Sequence, residues 1–234
     1  MASKKKEPIP YVGRGGIKLA HALKIFQIPV QRQICLDVGS STGGFTDCLL
    51  QHGAKQVYAV DVGYNQLDYK LRIDTRVVVM ERTHVMRIMP DQFPCKFSLI
   101  TVDVSFISLK NLLEHLMGFL ETGGSLLGLI KPNFEVGKEK IGKKGVVRKT
   151  EWHVEAIDSV LAMAKSLGLE PVGLTYSPLK GPEGNIEYFA WLKRCQEPFL
   201  GDAQKTVNSA QVVVDEAVRV LGMPGKHNPP LPSL

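Results

Sequence analysis

The sequence predicts an α/β fold built on one doubly wound, mostly parallel sheet of seven strands, with helices on both faces. Seven short segments rich in Val, Ile and Leu show little polar alternation, which is typical of strands buried on both faces. Segments with helical patterns separate them, and such alternation indicates parallel βαβ units in a single sheet. A chain of 234 residues with 44% apolar content is long enough to bury that core.

The elements follow from these patterns in chain order. The predicted strands are 34–38, 56–62, 77–80, 99–104, 125–130, 172–176 and 186–192. The predicted helices are 15–26, 44–52, 108–120, 150–167 and 203–221. The fourth of these helices opens with Thr150 as its N-cap and ends before Gly168. We expect the last strand to run antiparallel to its neighbours.

Composition excludes several other classes of protein. No apolar run reaches the roughly 20 residues that a membrane span needs, and no apolar stretch follows the N-terminus as in a signal peptide. The four cysteines form no C-x-x-C pair, so we expect reduced thiols in a cytoplasmic protein and no metal site.

The net charge of +6 is concentrated in two short blocks. Residues 1–24 hold six basic residues and one acidic residue, and so do residues 137–149, where three glycines predict a mobile basic loop. Such blocks are often only solvated faces, but they also suit the phosphates of a nucleic acid. The candidate phosphate contacts are Lys4, Lys5, Lys6, Arg14, Lys138, Lys140, Lys143, Lys144 and Arg148.

The most specific local motif is a glycine turn between the first strand and the next helix. It follows the pattern D-x-G-x-x-x-G from Asp37, and Gly39 permits a sharp turn and close approach of a ligand. Asp61 ends the second strand 22 residues after Gly39, where a carboxylate can bind ribose hydroxyls. The alternative is a tight strand–helix turn without a ligand.

Two cofactors compete for this turn. A dinucleotide site requires G-x-G-x-x-G, which is absent here, and Asp37 would repel a pyrophosphate. The same carboxylate could bind the ammonium group of S-adenosylmethionine (SAM), which has a ribose and an adenine but no phosphate. The motif therefore favours SAM. The candidate cofactor residues here are Asp37, Gly39, Ser40, Ser41, Thr42, Gly43, Gly44, Phe45, Asp61 and Val62.

Charged residues also stand at strand ends, where a core would be apolar. Asp103 and Lys131 end the fourth and fifth strands, and Glu187 lies at the start of the last one. Buried charges are rare unless they are paired, and the carboxyl ends of parallel strands are where catalytic groups lie. Lys18 could reach the same place from the first helix. Each residue alone could instead be a cap, an edge lysine or half of a salt bridge.

Taken together, these segments resemble a known family. The chain is similar over residues 9–194 to the methyltransferase domain of the TlyA (hemolysin A) family of ribosomal RNA 2′-O-methyltransferases, of the FtsJ-like group. The resemblance rests on residues 11–19, 36–47, 59–64, 103–108, 129–135, 145–148 and 181–187.

This resemblance implies a class I SAM-dependent methyltransferase of Rossmann-like fold that methylates a ribose 2′-hydroxyl of ribosomal RNA, in this family a cytidine. The family's K-D-K-E tetrad falls on Lys18, Asp103, Lys131 and Glu187, with Asp103 also beside the sulfonium. Arg82 and Thr83, next to Glu81, would flank the adenine. Lys131 could act as the base that takes the hydroxyl proton, or as an ammonium that orients the hydroxyl and stabilises negative charge.

The expected organisation is a basic tail over 1–10, the methyltransferase domain over 11–197, a helical extension over 198–222 and a disordered tail over 223–234. Members of the family usually carry an N-terminal S4 RNA-binding domain, which is either removed or natively absent here. We expect ribosomal RNA or a ribosomal subunit as partner, no membrane, and a monomer or weak dimer. The alternatives are a non-catalytic RNA-binding protein, a membrane-active hemolysin and a nicotinamide dehydrogenase.

Overall fold

A single seven-stranded sheet forms the centre of the computed structural model, which describes residues 10–195 and 208–225. The strands are β1 Ile34–Val38, β2 Gln56–Val60, β3 Val77–Met80, β4 Phe97–Val102, β5 Leu120–Ile130, β6 Leu169–Tyr176 and β7 Tyr188–Arg194. Their order is β3-β2-β1-β4-β5-β7-β6. Every pairing among the first five strands is parallel, whereas β7 runs antiparallel to both β5 and β6. The predicted fold class, with its antiparallel last strand, is confirmed.

Helices cover both faces of the sheet. They are α1 Arg14–Phe26, α2 Gly44–Gln51, α3 Tyr69–Arg72, α4 Lys110–Met117, α5 Pro132–Glu135, α6 Thr150–Ser166 and α7 Ala210–Leu221. Side chains of α1 and α2 pack with one face of the sheet, and those of α4, α6 and α7 pack with the other. Each large apolar side chain buried in these layers contributes about 1.5–3 kcal/mol to folding, which fixes the strand ends that build the site.

Several element boundaries differ from the prediction. β5 begins at Leu120, five residues early, because Leu120 pairs with Phe97 across a bulge although the next three residues are exposed. The position before α6 is occupied by Lys149, so Thr150 is the first helical residue and not the cap. The last helix begins at Ala210, whereas the predicted start is residue 203; residues 208–209 are not helical, and 203–207 lie outside the described part of the chain.

The helical extension packs on the edge of the sheet. One side of α7 is buried against α6 and the edge strand β6 and joins the main core. Ser209 caps the helix, because its Oγ accepts a hydrogen bond from the Val212 N–H. Of the predicted disordered tail, Met223–Gly225 are described, and 226–234 lie outside the described residues, as do residues 1–9 of the basic tail.

The basic segment 137–149 is more regular than the mobile loop we expected. It contains two short 3-10 turns, Lys138–Lys140 and Lys143–Gly145. The Gly142 N–H donates to the Val146 carbonyl at 2.9 Å. The Asn185 amide donates to the Gly145 carbonyl at 2.8 Å and accepts from the Val147 N–H at 2.9 Å. These long-range bonds to one buried asparagine hold the segment against the body of the domain.

The strand order places the site. The chain moves outward from β1 to β2 and β3 and then returns to the other side of β1 as β4, so β1 and β4 flank a topological switch point. Asp103 directly follows β4 and Lys131 directly follows β5. Because β7 runs in the opposite direction, Glu187, which directly precedes it, comes to the same edge of the sheet.

Candidate active site

Two ion pairs stand at the carboxyl edge of the sheet. The Lys131 Nζ lies 2.7 Å from an Asp103 carboxylate oxygen and also donates to the Ser105 hydroxyl at 3.0 Å. The Lys18 Nζ lies 2.5 Å from a Glu187 carboxylate oxygen. All four residues that the sequence proposed as a tetrad are therefore brought to one edge of the sheet, in pairs from four separate segments.

The Lys18–Glu187 pair is the more buried of the two ion pairs. Lys18 and Glu187 are 8% and 3% exposed, so neither charge could be kept there without the other. Burial disfavours the ammonium of Lys18, but the carboxylates of Glu187 and Asp103 outweigh it and raise the pKa of Lys18 above its ordinary value. The influence of Asp103 on Lys18 links the two pairs into one electrostatic unit.

The glycine turn brings backbone against Asp103. Gly39 has φ +84°, a conformation that disfavours residues with a side chain. A Cβ at this position would lie 2.4 Å from the Asp103 carbonyl oxygen, so both the conformation and the space require glycine. Glycine therefore lets the end of β1 pack directly against the Asp103 backbone, beside the Lys131–Asp103 pair.

Asp37 does not have the position that was expected of a ligand for the SAM ammonium. Its side chain is fully buried, and its carboxylate accepts hydrogen bonds from the Thr46 hydroxyl at 2.7 Å and the Thr101 hydroxyl at 3.0 Å. Burial raises the pKa of Asp37 to about 7, although both hydroxyls oppose the shift. The residue ties β1 to α2 and β4 beneath the turn.

The remaining turn residues divide into structural and exposed ones. Phe45 is 3% exposed and stacks on Phe189 with ring centroids 6.1 Å apart, so its side chain belongs to the core and does not point toward the site of the expected cofactor. Ser40, Gly43 and Gly44 are buried as well. The exposed side chains of the turn are those of Ser41 and Thr42.

Asp61 fits the role of a ribose ligand. One carboxylate oxygen accepts from the Ser41 N–H at 2.8 Å, and the other accepts from the Gly63 N–H at 2.7 Å. A carboxylate offers about four acceptor sites, so each oxygen retains room for a hydroxyl donor. The two backbone bonds fix the carboxylate at the mouth of the turn, where two adjacent ribose hydroxyls could donate to it.

A cavity of about 480 Å³ lies beyond the ends of β2 and β3. It is lined by Arg82 and Thr83, which were predicted to flank the adenine, by the predicted cofactor residue Val62, and by Met80, Ile88 and others. Glu81, in contrast, is bound to the connection between β2 and β3. Burial alone would raise its pKa, but hydrogen bonds from the backbone of 65–67 and from Arg72 lower the pKa of Glu81 to about 2.

An exposed aromatic residue that the sequence motifs did not single out lies beside the tetrad. Phe106 is 92% exposed, has φ +69°, and its ring centroid lies 5.5 Å from that of Phe134, which follows Lys131 by three residues. Glu135 holds the two segments together, since its carboxylate accepts from the Ser108 hydroxyl at 2.5 Å and from the Leu109 N–H at 2.7 Å. The sequence feature that could have indicated this aromatic is its position, since Phe106 stands in a loop three residues after the candidate catalytic Asp103.

The basic residues are unequal candidates for RNA contact. Lys138, Lys143, Lys144 and Arg148 are exposed in the basic segment. Lys140 is engaged in an ion pair with Glu155. Among the other candidates, Arg14 is exposed and donates to the Lys180 carbonyl at 3.0 Å, and Lys4, Lys5 and Lys6 lie outside the described residues.

Comparisons with known proteins show which methyltransferases the chain resembles. The sequence profile of the FtsJ-like methyltransferases matches residues 11–194. The 16S/23S rRNA (cytidine-2′-O)-methyltransferase TlyA of Mycobacterium tuberculosis is 45% identical over 183 residues, which are 78% of this chain and 68% of that protein. Hemolysin A of Brachyspira hyodysenteriae is 44% identical over 183 residues, which are 78% of this chain and 76% of that protein.

Solved structures show the same likeness. A candidate hemolysin from Streptococcus thermophilus has a TM-score of 0.85 and 42% sequence identity, and the match covers 92% of this chain and 77% of that one. A SAM-dependent methyltransferase from Listeria monocytogenes, at 14% identity and a TM-score of 0.57, shares the fold. In residues 10–195 and 208–225, no helix combines the length and the apolar content that crossing a membrane requires.

Proposed function

The chain belongs to the FtsJ-like methyltransferase family, and from that premise we propose that it methylates the 2′-hydroxyl of a cytidine ribose in ribosomal RNA. It is a SAM-dependent RNA methyltransferase. The observation that carries the finer proposal is the arrangement of two ion pairs, Lys131–Asp103 and Lys18–Glu187, beside a glycine turn at the switch point. The names of the TlyA relatives support ribosomal RNA and cytidine as the target.

SAM is the cofactor, and when bound it would supply an electrophilic methyl carbon, because its positively charged sulfur can leave as a neutral thioether when an oxygen nucleophile attacks that carbon. Asp61 would accept from its ribose hydroxyls, and the cavity beside Arg82 and Thr83 would receive its adenine. Gly39 lets the turn pack against the Asp103 backbone, which fixes the turn beside the Lys131–Asp103 pair. These residues bind and orient, and they need not exchange protons during the reaction.

Lys131 is the residue proposed to accept the proton of the ribose 2′-hydroxyl. A ribose hydroxyl must lose its proton as its oxygen forms the bond to the methyl carbon, while the carbon–sulfur bond breaks and its electron pair stays on sulfur. Asp103 and Ser105 fix the Lys131 Nζ by two hydrogen bonds, so one of its three N–H positions remains for the substrate. As an amine Lys131 would accept the hydroxyl proton, which then passes to water.

RNA would approach over the surface next to Lys131. A base can stack on an exposed aromatic ring, and the strained backbone of Phe106 holds its ring outward. Such a platform suits an unstacked nucleotide whose ribose must reach the tetrad. We also propose a cytoplasmic location, which a ribosomal RNA substrate supports.

The exposed lysines of the basic segment should contribute to RNA affinity through phosphate contacts. Replacing Lys138, Lys143 and Lys144 together with glutamine should weaken RNA binding and flatten the plot of log affinity against log salt by about two to three. Binding titrations from about 50 mM to about 200 mM salt measure this slope. Lys140→Gln is the matched control, because Lys140 is already paired with Glu155 and should change the slope little.

An unchanged slope in the triple variant would remove the segment from the RNA interface. A slope that falls equally in the triple variant and in Lys140→Gln would show that overall charge, and not these exposed side chains, sets the salt dependence.

Transfer of a tritiated methyl group from SAM to ribosomal RNA tests the proposed function. We expect label in RNA that resists alkaline cleavage at one position, because a 2′-O-methyl group blocks attack on the neighbouring phosphate. Label on a base instead would retain the methyltransferase and refute the ribose target. RNA binding without any transfer would favour the non-catalytic RNA-binding alternative.

A membrane-active hemolysin is the less favoured activity. The name occurs among the relatives, but a glycine turn aimed at a tetrad of charged side chains has no evident use in membrane damage. Release of dye from liposomes would have to occur at protein concentrations that give methyl transfer for this activity to be considered.

A further inference from the structure

The segment that follows α7 returns to the loop that carries Glu187. The Met223 carbonyl accepts a hydrogen bond from the Lys180 Nζ at 2.9 Å. The Gly225 N–H donates to the Gly184 carbonyl at 2.9 Å. Met223–Gly225 lie beyond residues 11–194, which the family profile matches, so the family resemblance gives this segment no role.

Lys180 connects this segment to the start of α1. Its side chain is fully buried, and a buried ammonium is costly unless it is bonded, so its bond to Met223 couples its burial to the position of the C-terminal segment. Its own carbonyl accepts from the Arg14 guanidinium at 3.0 Å. Arg14 opens α1, the helix that carries Lys18, one turn before Lys18 itself.

The loop between Lys180 and Glu187 is closed by its own backbone bonds and packs against the Glu187 carboxylate. The Gly181 N–H donates to the Asn185 carbonyl at 2.9 Å, and the Gly184 N–H donates to the Gly181 carbonyl at 3.0 Å. A Cβ on Gly181 would lie 2.6 Å from a Glu187 carboxylate oxygen, so the backbone of this loop packs against the catalytic carboxylate. A movement of residues 180–184 would therefore shift Glu187 and the ammonium paired with it.

The same segment also touches the basic segment. A Cβ on Gly225 would lie 3.2 Å from the Arg148 guanidinium and 3.3 Å from the Val146 side chain. Asn185 joins the two regions from the other side, through its bonds to the Gly145 carbonyl and the Val147 N–H. The C-terminal segment thus lies where the RNA-contacting segment and the Glu187 loop meet.

We propose that Lys180, locked by Met223–Gly225, is a positioning residue for the Lys18–Glu187 pair, so that the C-terminal segment is part of the catalytic apparatus. The inference rests on the proposed function, because the pair acts in methyl transfer. Lys180 itself touches neither substrate. It sets the rate by keeping the Glu187 carboxylate at the distance from Lys18 that the reaction requires.

Lys180→Met tests this role, since methionine fills the volume without the ammonium. We expect kcat to fall about tenfold to a hundredfold, the cost of displacing a catalytic group by about 1 Å, while KM for SAM and RNA affinity stay within about threefold. Lys180→Arg, which restores a donor toward Met223, should recover part of kcat. Lys110→Met is the control, because the Lys110 Nζ donates to the Ser159 hydroxyl of α6 and not to residues 180–187 or 223–225.

Gly225→Pro attacks the same contact from the other side, because proline lacks the N–H and cannot adopt φ +81°. If Lys180 and Gly225 act through the same contact, kcat of the double variant should be little lower than kcat of either single variant. Additive losses, an unchanged kcat, or a raised KM with kcat retained would overturn the proposal.

Hydrogen exchange of residues 177–188 provides a readout independent of turnover. We expect faster exchange of the Gly181 and Gly184 amides in Lys180→Met than in Lys110→Met or the unmodified protein. Faster exchange with unchanged kcat would leave only a structural role and refute positioning. If the unmodified protein transfers no methyl group, the proposed function is refuted. Independently of that result, unchanged exchange of the Gly181 and Gly184 amides in Lys180→Met would refute the role of the Lys180–Met223 contact.

Discussion

Lys131→Ala will lower methyl transfer to RNA by about 10²–10⁴-fold, the usual contribution of a positioned acid–base group. The variant removes the Lys131 Nζ, the nitrogen that Asp103 and the Ser105 hydroxyl hold in place. The affinity for SAM should stay within a few-fold, because the proposed cofactor contacts lie at Asp61 and around the adenine cavity. Single-turnover transfer and calorimetric titration with SAM measure the two quantities.

Lys131→Arg separates the two roles that the sequence left open. Arginine keeps a positive charge and hydrogen-bond donors but does not deprotonate in proteins, so it can orient a hydroxyl and cannot serve as its base. If Lys131 is the base, the arginine variant will be as inactive as the alanine variant at every pH. Retention of most of the rate would instead assign Lys131 to electrostatic stabilisation.

Lys110→Ala is the control for both variants, because Lys110 is a half-buried lysine whose Nζ bonds Ser159, outside the tetrad. It should leave the transfer rate unchanged. Unchanged turnover in Lys131→Ala would remove the tetrad assignment altogether, since no other part of the proposed mechanism handles the hydroxyl proton.

The tetrad could be predicted because strand ends converge for topological reasons. Asp103 and Lys131 end parallel neighbours, so their meeting follows from the sheet alone. Glu187 needed one further assumption, the reversed direction of the last strand, which the structure confirms. Neighbouring strand ends also favour the pairing of Lys131 with Asp103, whereas spacing along the chain does not determine whether Glu187 meets Lys18 or the ribose.

In the glycine turn, the spacing of residues along the sequence does not determine which side chains face a ligand. The pattern located the turn correctly but treated Asp37 and Phe45 as ligand contacts, whereas both point into the body of the domain. Within a turn that contains several glycines, side-chain direction depends on individual backbone angles, such as φ +49° at Ser41. Contacts of long sequence separation, such as Lys180 with Met223, leave no local pattern at all.

Asp37→Asn will remove a large pH dependence from the stability of the fold. The pKa of Asp37 is raised by burial from 3.8 to about 7, so the folded state holds a proton that the unfolded chain releases. A raised carboxyl pKa contributes stability that is fully present below about pH 4 and is lost as the pH rises through about 7. The loss approaches roughly 4 kcal/mol, at about 1.4 kcal/mol for each unit of pKa shift.

Asparagine suits this position because it can accept from one threonine hydroxyl and donate to the other. The measurement is the free energy of unfolding by urea from about pH 4 to about pH 8, taken as the difference between variant and unmodified protein. That difference isolates Asp37 from His153 and Glu135, whose pKa values are also shifted by burial. We expect the variant to gain stability relative to the unmodified protein as the pH rises.

Asp74→Asn provides the matched control with the opposite sign. Hydrogen bonds from Arg76 lower the pKa of Asp74, so its contribution is present above about pH 4 and is lost only as the pH falls further. The control should therefore leave the profile between pH 4 and pH 8 parallel to that of the unmodified protein. Parallel profiles for Asp37→Asn as well would mean that the carboxyl of Asp37 is ionised throughout, and that water or a cation reaches it behind the turn.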